Sequence, residues 1–199
     1  NEVTSSYGLG DPVAMRNAFA QSGELKTDAK VNDGYIAMTE NLGTAVESSG
    51  KIMIGYDDIL SLNYFGTNLR PYWNRNGDRT IEQEFVAANN EYAELKTKTA
   101  IFDYALMPVA MRAGGKEYAE LCALAYRQSI AAHKLIESPA GELAWISKEN
   151  FSNGCLGTVD VTFPSFPLYV YYNPDLAKGL LNFIFELCES EKWTRPYAA

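Results

Sequence analysis

Polar side chains able to do acid–base work or hold a substrate crowd one stretch of the sequence. Lys148, Glu149, Asn150, Asn153 and Asp160 all fall within Ser147–Pro174. Hydrolysis of an amide or a glycoside needs a proton donor for the leaving group and a base for water. Two carboxylates in unlike environments can divide that labour, which makes Glu149 and Asp160 the first candidates. Lys148 and Asn150 can stabilise developing negative charge. Each has a plainer reading. Glu149 can tie a loop or helix end, Asp160 can sit on the wet side of a strand, and Asn153-Gly154 reads as a tight turn. Phe151, Leu156, Val159, Phe163, Leu168 and Tyr169 run between these polar residues, and Gly154, Gly157, Pro164, Pro167 and Pro174 interrupt them. The pattern predicts an irregular segment pinned by buried apolar anchors.

A second set lies upstream. Asp57 and Asp58 follow Lys51–Tyr56, an apolar run that reads as a strand. Neighbours on a strand point oppositely, so at most one of the two faces a given cleft. An Asx turn before Ile59 is the alternative. Arg70 stands beside Tyr72 and Trp73 and can clamp a substrate carboxylate or tie elements together. His133 is the sole histidine, and its place near the end of a helical pattern predicts a surface position. Cys122, Cys155 and Cys188 lie far apart with no CxxC. Cys122 and Cys188 read as buried small hydrophobes. A structural zinc site would need more Cys and His than the sequence has, nothing demands an organic cofactor, and no GxSxG, Walker or dinucleotide fingerprint occurs.

The elements that must hold these residues are mostly helices. The sequence is 199 residues long, 47% hydrophobic and 21% charged, which suits a globular chain. Its net charge of -8, with scattered Lys and Arg, argues against nucleic acid as a partner. No apolar run approaches the roughly 18 residues of a membrane span. Aromatics at 13% suit either a small-molecule cleft or Tyr-packed helices. Asp11-Pro12 starts a short helix that Gly23 ends. Tyr35–Met38 and Lys51–Tyr56 predict short strands, with a turn at 41–43, a further strand over 44–47 and a break at 48–50. Residues 57–79 predict a short helix and an ordered connection. Thr80 with Gln83 forms a capping box. From there apolar residues recur at three and four through Val109, until Gly114-Gly115. A second helix follows over Lys116–Leu135, antiparallel to the first because the link is short. Asn173-Pro174 opens the last helix. The expected fold is therefore mainly α with a minor β region.

Several longer words point to a family. They are Ala125-Tyr126-Arg127-Gln128, Ala131-Ala132-His133-Lys134-Leu135, and the runs 147–154, 157–164 and 172–176. With Tyr56-Asp57-Asp58 and the run 64–73 they resemble the glutaminase A family over essentially the whole chain. The resemblance implies a β-sandwich-like region followed by an (α/α) toroid-like domain of antiparallel helical hairpins. On that plan residues 1–66 are the strand-containing end of the first region, 67–79 a connection, and 80–199 an incomplete helical domain. It also implies a secreted, periplasmic or cell-surface protein that hydrolyses the side-chain amide of glutamine, with the remaining domains of a parent chain as partners. A glycoside hydrolase on the same scaffold, or a non-catalytic carbohydrate- or peptide-binding module, is the alternative.

Overall fold

A computed structural model describes residues 4–26, 35–41, 47 and 49–197. The chain divides into two compact units, Asn1–Ile54 and Gly55–Ala199. In the first, strand β1 (Thr4–Gly10) pairs antiparallel with β2 (Tyr35–Asn41), with Gly10 opposite Tyr35. Helix α1 (Pro12–Ser22) begins as its sequence dictates. The Asp11 carboxylate accepts from the Val13 and Ala14 amides at 3.1 and 2.8 Å, and Gly23 closes the helix at φ 73°. Of the turn expected at 41–43, the strand over 44–47 and the break at 48–50, residues 42–46 and 48 fall outside the described residues, while Asn41 ends β2 and Glu47 lies in a bend. The strand expected at Lys51–Tyr56 is not one: no helix or strand occurs over 49–58. Ile52, Met53 and Ile54 are exposed there. A strand needs a neighbour for its backbone groups, and apolar side chains do not supply one.

The second unit opens with a tight hairpin where a helix was expected. Strands β3 (Leu62–Tyr64) and β4 (Thr67–Leu69) are joined by Phe65 and Gly66, both at positive φ. That is the two-residue turn whose twist matches the strands. The Asn63 carboxamide oxygen accepts from the Gly66 amide at 2.9 Å and holds it. A 3-10 turn at Tyr72–Asn74 follows, and the buried Asn74 carboxamide bonds both backbone groups of Arg79.

Helix α2 (Ile81–Ala131) starts in the expected capping box of Thr80 and Gln83 and breaks at Gly115 (φ 83°, ψ -174°). Phe102 and Tyr126 show what the break does. On a straight helix they would stand about 36 Å apart, yet their ring centroids are 4.7 Å apart. The two arms fold back as an antiparallel helical hairpin. Pro108 lies within the first arm.

The second arm stops before the expected Leu135. Residues His133–Glu137 form strand β5, paired antiparallel with β6 (Leu143–Ser147), with His133 opposite Ser147 and Leu135 opposite Trp145. The turn between them closes with the Ser138 amide on the Glu142 carbonyl at 2.8 Å and Gly141 at φ 81°. Alternation puts the two faces of this hairpin into different cores. Ile136, Ala144 and Ile146 join Tyr64, Leu62, Leu69 and Phe183 on one side. Trp145 and Leu135 join Tyr169, Ala177 and Leu180 on the other.

Two helices cover that second face. Helix α3 (Val159–Tyr172) replaces the irregular stretch expected there, despite Pro164 and Pro167 inside it. Each interior proline removes a hydrogen bond. The burial of Thr162 and Tyr169, with Thr162 hydroxyl-bonded to Ser147 at 2.8 Å, holds the helix in place regardless. Helix α4 (Pro174–Glu189) follows the expected Asn173 cap. Its Gly179 lies so close to β6 that a Cβ there would sit 3.1 Å from Trp145 Cβ. The chain is thus mainly α with short antiparallel strands. Among the described residues no helix is long and apolar enough to cross a membrane.

The hairpin break makes a direct prediction. At φ 83°, ψ -174° only glycine is at ease, so Gly115→Ala should cost about 1–3 kcal/mol in chemical denaturation. Gly154→Ala, where an added Cβ would meet nothing within 4 Å, should stay within about 0.5 kcal/mol.

Candidate functional site

The residues after β6 form a shallow, open hollow. Lys148 continues the ladder, its amide bonding the Ala132 carbonyl at 2.9 Å, and a lone bridge links Lys148 to Leu156. The chain between them loops out with Asn150 at φ 51°. Ser152 ties the loop by donating to the Glu149 carboxylate and carbonyl at 3.1 and 2.9 Å. The Asn153 side chain accepts from the Cys155 amide at 2.7 Å, and the Asn150 carboxamide donates to the Lys148 carbonyl at 3.1 Å. The result is a cavity of about 470 Å³ lined by Lys148, Glu149, Asn150 and Asn153 together with Phe151, Gly154, Cys155 and Leu156.

Behind it sits a charge cluster that strand alternation creates. His133 and Lys134 point to opposite faces of β5. Lys134 forms an ion pair with Asp58, a half-buried residue of the segment before β3. Ser61 donates a second hydrogen bond to the same carboxylate at 3.0 Å. Burial alone would push the Asp58 carboxyl up, but the bonds from Lys134 and Ser61 and the Lys134 charge outweigh it and hold it below its usual value. Lys148 is pushed below the usual lysine range, first by burial and then by the charge of Lys134, with Asp58 opposing. The Asp58 segment is strained. Ile59 lies at φ 57°, costly for a β-branched residue, and the Asp57 carboxylate steadies it by accepting the Ile59 amide at 2.8 Å.

On the other face His133 is buried against Trp145, their rings stacked at 4.9 Å. Its Nδ1 lies 2.5 Å from the Ser129 carbonyl oxygen. Tyr169 closes the group, its hydroxyl 2.8 Å from Ser129 Oγ. Burial lowers the His133 pKa and the Lys148 charge adds to the effect, while the Ser129 hydrogen bond opposes them.

The other candidates are dispersed. Asp160 is exposed in the first turn of α3, where a carboxylate complements the helix dipole. It is not on a strand and does not line the cavity. Arg70 lies along Gly77, Tyr72 carries the Arg75 guanidinium 4.3 Å over its ring, and Trp73 is half-buried in the 3-10 turn. None of the three lines the cavity. Cys122 and Cys188 are half-buried rather than buried, and Cys155 is exposed. Among the described residues no group of three or more His, Cys, Asp and Glu could hold a metal ion. The sequence reading missed Lys134 as a partner of Asp58, and it placed His133 on a helix surface. Both depend on the strand pairing of 133–137 with 143–147, for which the only local signal is the Pro139–Gly141 turn between two short runs.

These features define a helical-hairpin protein with a polar cavity at the end of a two-faced β-hairpin. Comparison with known proteins gives the family. Residues 1–108 match the model "Domain of unknown function (DUF5127)", and residues 115–199 match "Glutaminase A six helical-hairpin domain". A protein of Aspergillus oryzae named Glutaminase A is 30% identical over 97% of this chain and 30% of its own length. A protein of Arthroderma benhamiae named as a probable glutaminase is 34% identical over 45% of this chain and 10% of its own. No solved structure matches significantly. The chain belongs to the glutaminase A family, and it spans less than a third of the length of these curated relatives.

The Asp58 cluster predicts a pH signature. Its carboxyl titrates below 3.8 when folded, so the stabilisation is whole above about pH 3.8 and is lost as pH falls through the lower native value. Asp58→Asn should therefore lower the thermal midpoint at pH 7. The gap to the unaltered chain should narrow as pH falls below 3.8 and through the lowered native value in a calorimetric pH series.

Proposed function

We propose that the chain is part of a glutaminase-like amidohydrolase that converts the side-chain amide of glutamine to glutamate and ammonia. The observation that carries the reading is the cavity in which Lys148, Glu149, Asn150 and Asn153 meet, backed by the Lys134–Asp58 pair. In this reading Glu149 accepts a proton from water as it attacks the amide carbon. The Lys148 ammonium group stabilises the charge that develops on the carbonyl oxygen. Lys148, with its hold on the proton weakened by burial and by Lys134, gives that proton to the departing ammonia. Asp58 orients Lys134, because a carboxyl held below its usual pKa is a poor base. The names of the relatives motivate glutamine as the substrate. Exposed Tyr104, Leu121, Phe163 and Tyr171 suit a helical domain that further hairpins would cover, as a toroid requires.

A glycosidase of the usual kind needs two carboxylates flanking one bond. Glu149 is the sole carboxylate among the residues that line this cavity, so the observations do not favour that reading.

The test is ammonia release from L-glutamine by the full-length protein, with each variant checked for folding. Glu149→Gln should lower kcat by about 100-fold or more, and Asp160→Asn should leave it within about twofold. Absence of glutamine hydrolysis in the unaltered protein would remove the substrate assignment. Full activity in Glu149→Gln would remove the site.

A further inference from the structure

Lys148 shares one face of the β5–β6 hairpin with a second lysine. Lys134 stands opposite Ile146. Lys148 is two residues beyond Ile146, and its amide still bonds the Ala132 carbonyl at 2.9 Å. Side chains two apart on a strand point the same way, so Lys134 and Lys148 are diagonal neighbours across the pair. Both are half-buried. The carboxylate on that side, Asp58, is engaged by Lys134 and by the Ser61 hydroxyl. Two ammonium groups thus crowd one carboxylate in partly desolvated surroundings.

Burial and a like charge both favour the loss of a proton. Lys134 is paired directly with Asp58, and Lys148 carries the consequence. Its pKa is lowered first by burial and then by the Lys134 charge, while Asp58 opposes both from a distance. A lysine that sheds its proton readily is a nucleophile toward carbonyl carbon. Lys148 also lines the open hollow of about 470 Å³, which leaves space for a small molecule to approach.

We propose that Lys148 is a modification site that condenses with small aldehydes, and that the Lys134–Asp58 pair beside it sets how readily it does so. The neutral Nζ adds to the carbonyl carbon, a C=N bond replaces the C=O bond, and the oxygen leaves as water with both amine hydrogens. Neither an oxidant nor a reductant takes part. The proposal goes beyond amide hydrolysis and does not rest on it, because the modified lysine is read directly.

The experiment treats the full-length protein at about pH 7 with limiting 13C-formaldehyde and cyanoborohydride, which reduces the imine to a stable methylamine. Peptide mass mapping then ranks the lysines. Lys148 should label at least about fivefold faster than the exposed Lys98 and Lys178. Lys134→Met removes the like charge and frees Asp58 for Lys148, so it should slow labelling about threefold or more, whereas Lys134→Arg should keep the rate. Asp58→Asn removes the opposing carboxylate and should speed labelling. Labelling of Lys148 no faster than of Lys98 and Lys178 overturns the proposal. So does a rate that neither Lys134→Met nor Asp58→Asn moves in folded protein. Should these variants not fold, the ranking in the unaltered protein decides. Absence of ammonia release from glutamine, with Lys148 labelled as expected, removes the hydrolysis reading and leaves this one standing.

Discussion

A two-stranded hairpin is not stable in water by itself, and the larger unit is built around covering one. The hairpin β5–β6 is apolar on both faces, so each needs its own partner. The β3–β4 hairpin and Phe183 cover one face, and α3 and α4 cover the other. Leu180 is fully buried, and Gly179 brings the α4 backbone against Trp145 with no room for a side chain. The first cover is locked from a distance. Tyr64 on β3 donates its hydroxyl to the Glu186 carboxylate on α4, and burial with that negative neighbour pushes its pKa up.

This arrangement explains why the polar groups lie where they do. Alternation along β5 sends Lys134 toward the β3–β4 side, where Asp58 meets it, and sends His133 into the aromatic side beside Trp145 and Tyr169. A one-residue slip of β5 against β6 would exchange the two environments, burying an ammonium among aromatic rings. Lys148, one residue past the end of β6, is lowered first by its own burial and then by the Lys134 charge, and its charge adds to the burial that lowers the His133 pKa. The charge cluster and the aromatic cluster are therefore organised by the two sides of one strand pair.

Much of the helical frame is legible in the sequence because its ends are local. Asp11-Pro12 with Gly23, Thr80 with Gln83, the Gly114-Gly115 break and Asn173-Pro174 each carry their own hydrogen-bonding or backbone signal. The strands are less legible. Residues 133–137 continue an apolar helical pattern, and a five-residue run has too little length to reveal its period. Helix α3 is hidden by Pro164 and Pro167, which local rules read as breakers and which tertiary burial overrides. The candidate site divides the same way. Lys148, Glu149, Asn150 and Asn153 are close in sequence and line one cavity, whereas the Asp58–Lys134 pair spans 76 positions and has no local trace.

That long-range pair requires β5 to be a strand in this register. A double-mutant cycle of Asp58→Asn and Lys134→Met in urea denaturation measures it. The structure predicts a favourable coupling of about 1–3 kcal/mol, as expected for a half-buried charged hydrogen bond. Additive effects, with no coupling beyond about 0.3 kcal/mol, would contradict the pairing and with it the placement of Lys134 and His133 on opposite faces of the hairpin.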